Sequence, residues 1–69
     1  LKNHHLLKVF LVSEKITQRA AAKKVKMHYT RLNMYLNGVL NISEDEVKKI
    51  CKGLSIDFKA YLNHKIKRL

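Results

Sequence analysis

Residues 28 to 37 read HYTRLNMYLN, and this one stretch gathers a histidine, two tyrosines, a threonine, an arginine and two asparagines. Such side chains donate and accept hydrogen bonds from several directions, which suits recognition more than bond breaking. Catalysis finds little support elsewhere. Glu14 is the only acid before residue 44, and no Ser/His/Asp or paired-carboxylate arrangement can be assembled, so no enzyme is expected. His4-His5 invites a metal reading, but neighbours on a helix point roughly 100° apart and no Cys or acidic cluster accompanies them. No metal or other cofactor is expected. Cys51 stands alone, so it reads as a small buried apolar residue or, less simply, as a reactive thiol.

The charge balance narrows the partner. Fifteen Lys and Arg against five Asp and Glu give a net +10, with an isoelectric point near 10.1. Residues 1 to 38 hold eight basic and one acidic residue (+7), and residues 39 to 69 hold seven and four (+3). A small domain of this sign meets polyanions, and nucleic acid is the commonest. The bland alternative is a basic surface that only faces water. The chain's 69 residues and 46% hydrophobic content fit one globular domain, residues 1-69. A chain this short buries only about 60% of its unfolded surface, so its elements must pack with near neighbours in sequence. "LLKVFLV" (6 to 12) is interrupted by Lys8 and falls short of the ~20 residues that a membrane span needs. It also lacks a cleavage-site pattern. With a single cysteine, the expected setting is a reducing cytoplasm, with neither membrane nor small-molecule substrate as partner. The first residue is Leu1, not methionine, which leaves room for further chain before it.

Helical spacing runs throughout, and no segment alternates as a strand would. Leu6, Leu7, Phe10 and Leu11 form a stripe within 3 to 14. Thr17 can cap a second helix whose face holds Ala21, Ala22 and Val25. A third helix carries Leu32, Tyr35 and Leu36 and stops at Asn37-Gly38. "SEDE" (43 to 46) has the form of a capping box, Ser43 with Glu46, ahead of Val47, Ile50, Cys51 and Leu54. Ser55 or Asp57 can cap a last helix in which Phe58, Tyr61, Leu62, Ile66 and Leu69 recur at helical spacing. The expected fold is all-α, about five short helices in one bundle.

Residues 17 to 37 carry the sharpest pattern. Small Ala21 and Ala22 let a second helix cross closely, and "VKM" (25 to 27) has room only for a tight turn. Two helices joined so tightly describe a helix-turn-helix. The stretch "ITQRAAAKKVKMHYTRLNMYLNG" resembles the helix-turn-helix of the lambda repressor-like, Cro-type family. Thr17, Gln18, Ala22, Met27, Leu32, Asn37 and Gly38 occupy the family's pattern positions without a gap. "SEDEVKKICKGLSIDFKAYL" (43 to 62) resembles the family's Ser-capped fourth helix and its ending, so the likeness covers about residues 5 to 62.

The resemblance implies a sequence-specific double-stranded DNA-binding transcriptional regulator of phage or bacterial repressor type, at work in the cytoplasm on the nucleoid. Helix 29 to 37 would lie in the major groove. Its matching positions imply that Tyr29, Thr30, Asn33 and Met34 read bases. Asn33 can pair bidentately with adenine, and Thr30 can hydrogen-bond or touch a thymine methyl. Met34 can pack on a thymine methyl or fill a half-buried gap. Gln18 matches a phosphate contact at a helix N-terminus. Asn37 matches another, or simply caps its helix. Arg31 can reach phosphate or guanine, or stand in water. Arg19 and Lys26 add charge by position, and His28 contacts phosphate or caps the third helix.

Three departures bear on this picture. The family usually has Gly in the turn, where this chain has Lys26. A left-handed backbone there costs Lys about 1 kcal/mol, so a somewhat different turn is expected. Basic residues commonly follow the Asn-Gly, but Val39, Leu40 and Asn41 stand here. Many members pair an Arg on the first helix with a Glu late in the third, where this chain has Leu11 and Leu36, an apolar contact in place of a salt bridge.

One unit covers few base pairs, so a weak homodimer forming on DNA is expected through Leu54, Ile56, Ile66 and Leu69. The competing function is a protein-interaction module on the same fold, an antirepressor or antitoxin partner. The absent basic residues after Gly38 and the apolar Val9 and Val12 favour it. A cationic membrane binder is disfavoured by the short, capped helices.

Overall fold

Five helices make up most of residues 3–69, the part of the chain that the computed structural model describes: α1 (His4–Ser13), α2 (Gln18–Val25), α3 (Tyr29–Leu36), α4 (Glu44–Gly53) and α5 (Phe58–Leu62). Their starts follow from side-chain caps. The Thr17 hydroxyl accepts the Ala20 N–H at 3.1 Å, and the Ser43 hydroxyl accepts the Glu46 N–H at 3.2 Å. Three acids, Glu44, Asp45 and Glu46, then fill the first turn of α4, where the dipole favours them.

Every helix ends through a residue in the left-handed region: Lys15, Lys26, Gly38, Ser55 and His64. In each case that residue's N–H bonds three residues back, and the next N–H bonds five residues back, as in Lys26 to Lys23 and Met27 to Ala22. This is the Schellman closure, and it satisfies carbonyls that the helix end would leave open. Ile16, Met27 and Ile56 follow the left-handed residue and fold back onto the core. Lys26, with φ 55° and ψ 45°, therefore keeps the left-handed turn, contrary to the expectation of a different one. Packing of the half-buried Met27 on the core helps hold Lys26 there without glycine.

The core joins one face from every helix. Leu7, Leu32, Tyr35, Leu36, Val47, Ile50, Cys51, Ile56 and Tyr61 are each almost wholly buried. Burial, and secondarily the charge of Asp57, pushes the Cys51 thiol up to about 11, which leaves it protonated and inert. Inside the core the Tyr35 and Tyr61 hydroxyls meet at 2.8 Å, and Tyr61 donates to the Asn3 carbonyl at 2.7 Å. Tyr61 has only one proton to give, so Tyr35 is the donor between the two rings. Asn3 returns an amide N–H to the Tyr61 carbonyl at 2.6 Å, which ties the start of α1 to α5.

The last helix departs from expectation. It stops at Leu62, and His64 closes it at φ 59°. The chain then runs back beside residues 55 to 57: Asp57 N–H donates to the Lys67 carbonyl at 2.7 Å, and Leu69 N–H to the Ser55 carbonyl at 3.0 Å. Ile56 and Arg68 form an isolated antiparallel bridge, and Arg68 also pairs with Glu14. The helical spacing of Ile66 and Leu69 is thus coincidental, because the chain turns at His64 and Lys67 and Leu69 pair with Asp57 and Ser55.

Gly53 sets the crossing of α4 on α2. A Cβ there would stand 2.8 Å from Val25 Cγ1 and 2.9 Å from the Lys24 carbonyl oxygen. Gly53→Ala in an ordinary helix gains about 1 kcal/mol. Here backbone must move, so a net loss of about 1–3 kcal/mol is expected. Chemical denaturation of the two proteins checks the sign; a more stable variant would mean that α4 can back away from α2 freely.

Candidate nucleic-acid interface

α2 packs on α3, with Ala21, Ala22 and Val25 of the one and Leu32 and Tyr35 of the other all buried in the shared core. With those faces inward, Thr30, Arg31 and Met34 are left exposed, and Tyr29 and Asn33 half-exposed. Met34 keeps 36% of its surface open, so it is not a core filler. The structure therefore brings Tyr29, Thr30, Asn33 and Met34 to the open surface of one helix.

Asn33 is held from both ends of its amide. Its Nδ2 donates to Gln18 Oε1 at 2.6 Å, and its Oδ1 accepts from Asn37 Nδ2 at 3.2 Å. Lys8 Nζ donates to Asn37 Oδ1 at 3.3 Å. The chain of bonds runs in one direction, Lys8 to Asn37 to Asn33 to Gln18, and each link polarises the next. Among the described residues one Asn33 proton and one Asn33 lone pair remain free, the donor and acceptor that an adenine edge requires. The Gln18 amide protons also remain free, beside the N-terminus of α2, which favours an anion.

The neighbouring groups are held as well. The Arg19 guanidinium lies 4.7 Å from the centre of the Tyr29 ring and stacks on it. His28 caps α3, its Nδ1 accepting the Thr30 N–H at 3.2 Å, so of its two expected roles the structure displays the cap. Asn37 ends α3 and joins the amide chain at once. Lys26 is exposed at the turn.

Arg31 is not simply free in water. Its Nε and Nη2 grip the Glu46 carboxylate at 2.8 and 2.7 Å. The same bond holds the Glu46 carboxyl below its usual range and raises the guanidinium. Only the Ser43 half of the expected capping box forms as a side-chain bond, because Arg31 takes the Glu46 side chain. A phosphate seeking Arg31 has to share it with Glu46.

The expected pairing surface needs correction. Leu54 and Ile56 are 8% and 1% exposed and belong to the protein's own core, since the closure of α4 folds Ile56 inward. Ile66 packs half-buried on that core, and Leu69 alone stands out at 81% exposure. That Lys8 would meet Asn37 and Glu46 would meet Arg31 was not legible in the sequence. Lys8 looked like an interruption of an apolar run, and Glu46 like a capping residue. Their partners lie far away in sequence, so no local pattern could reveal them. His4 packs edge-on to Tyr35 and against Gly38, while His5 is exposed. Among the described residues no group of three or more His, Cys, Asp or Glu could hold a metal ion, and no helix is long and apolar enough to cross a membrane.

A family model described as "Helix-turn-helix" matches residues 7–60. No curated protein and no solved structure matches the chain.

Proposed function

Because the chain belongs to the lambda repressor-like helix-turn-helix family, a DNA-binding family of the transcription-regulator type, we propose that it is a sequence-specific repressor-type regulator that sets α3 in the major groove of duplex DNA. The carrying observation is the amide chain that orients Asn33 while leaving it one free donor and one free acceptor. In this reading Tyr29, Thr30, Asn33 and Met34 meet base edges. Gln18, Arg19, Lys26, His28, Arg31 and Asn37 meet phosphates, with Arg31 drawn partly from Glu46. Pairing of two copies on adjacent half-sites would use Leu69 and the open edge of Ile66, not Leu54 and Ile56.

Binding should be strongly salt-dependent. With roughly four to six phosphates neutralised per protein, log K falls with log salt at a slope of about −4 to −5. Fluorescence anisotropy of a labelled duplex across a salt series measures it. A slope near zero, with affinity kept at high salt, would rule the proposal out.

A second reading, protein interaction on the same fold, draws on the outer face of α1. Val9 and Val12 are 52% and 73% exposed there, beside His5, Lys8 and Ser13. That face meets the polar surface of α3 only at Lys8, which bonds Asn37, so the two readings are told apart at Val9 and Val12.

A further inference from the structure

Four lysines converge at a place of which the helix-turn-helix reading uses Lys26 alone. Lys24, Lys26, Lys49 and Lys52 surround a concavity of about 380 Å³ floored by Val25 and Gly53. Two come from the end of α2 and two from α4, and the close approach at Gly53 brings them together. No carboxylate lines the concavity, and none of the four is in an ion pair among the described residues. The acids of α4 sit in its first turn, at the opposite end of that helix. The C-terminal ends of α2 and α4 favour nearby cations, which accounts for Lys24 and Lys52. Lys49 has a different tie: its Nζ donates to the Lys26 carbonyl at 3.3 Å, holding one ammonium at the rim.

The cluster is continuous with the proposed interface. Lys26 borders this concavity and also a second one lined by Arg19, Lys23, Met27 and Tyr29. A basic track therefore leads from the start of α3, along α2, to the end of α4. We infer that Lys24, Lys26, Lys49 and Lys52 form a second phosphodiester-binding site, occupied by the flank of the duplex whose major groove holds α3. The inference rests on the DNA-binding reading. It adds that the protein grips more of the duplex than one helix-turn-helix spans.

The test pairs two variants with two duplex lengths. Lys49→Gln/Lys52→Gln removes two charges from the site, and Lys59→Gln/Lys65→Gln removes two exposed charges elsewhere as a match for net charge. Affinity is measured by anisotropy on a duplex of about one helical turn and on one of about three turns, over a salt series. On the long duplex the first variant should bind several-fold more weakly than the second, with a salt slope shallower by about 1.8 for two lost phosphate contacts. On the short duplex the two variants should agree. Circular dichroism melting tracks folding, and Lys52→Gln alone, which leaves the Lys49 bond intact, should show about half the loss. Equal losses for both variants on the long duplex, or equal losses on both lengths, would overturn the second site while leaving the DNA reading in place. Capture of a second labelled duplex that depends on Lys49 and Lys52 would overturn the assignment to the flank. Failure of the unaltered protein to bind either duplex would remove the DNA-binding reading itself, and this site with it.

Discussion

Leu36→Glu is expected to destabilise the fold severely. Leu36 is 1% exposed, and Leu11, its counterpart on α1, is 3% exposed in the same cluster. A carboxylate there has no partner, and a buried unpaired charge costs several kcal/mol. A loss of about 4 kcal/mol or more removes from roughly 40% to all of the stability of a 69-residue domain, at roughly 0.05–0.15 kcal/mol per residue. The resemblance to the lambda repressor-like family implies an Arg and a Glu at these two places. Leu11→Arg should therefore recover part of the loss when added to Leu36→Glu, although alone it also destabilises. Thermal unfolding of both single variants and the double variant checks this. Strictly additive losses would mean that the two side chains do not meet.

The second large effect is on recognition. Asn33→Ala should cost about 1–3 kcal/mol on the preferred site, roughly 5- to 150-fold, and relax the choice at one base pair. Gln18→Ala read from sequence alone should weaken every duplex alike, as loss of a phosphate contact does. The bond from Asn33 to Gln18 changes that expectation. Without Gln18 the Asn33 amide is free to turn over, so the same base pair should lose part of its preference as well. Site selection from a randomised duplex library with all three proteins tests the pair of effects. Unchanged preference in Asn33→Ala would move base reading to other residues, and unchanged preference in Gln18→Ala would confine Gln18 to the phosphate.

The helices were legible because each depends on local spacing. Leu7, Phe10 and Leu11, or Val47, Ile50 and Cys51, declare a buried face within a few residues. Caps at Thr17 and Ser43 were equally local. Helix ends were harder. Only Gly38 of the five left-handed residues is a glycine, and Lys15, Lys26, Ser55 and His64 give no such sign. Ile66 and Leu69 misled because periodicity cannot show that Ser55 and Asp57 offer backbone partners to the returning chain. The face of α3 proposed to read bases came from the family resemblance, and the burial of Leu32, Tyr35 and Leu36 on the other side leaves it open. Its supports were not legible: Lys8 and Asn37 lie 29 residues apart, and Arg31 and Glu46 lie 15 apart. Such pairs are set by tertiary packing.

Duplex titration of the isotopically labelled protein, followed residue by residue in amide NMR spectra, tests the central claim most directly. A random-sequence duplex at low salt is sufficient, since phosphate contacts alone bring the protein to the groove. The account predicts the largest shifts at Gln18 and Arg19 and at Tyr29, Thr30, Asn33 and Met34, with Val9 and Val12 unmoved. Shifts gathered on the outer face of α1, with the amides of α3 silent, would contradict it.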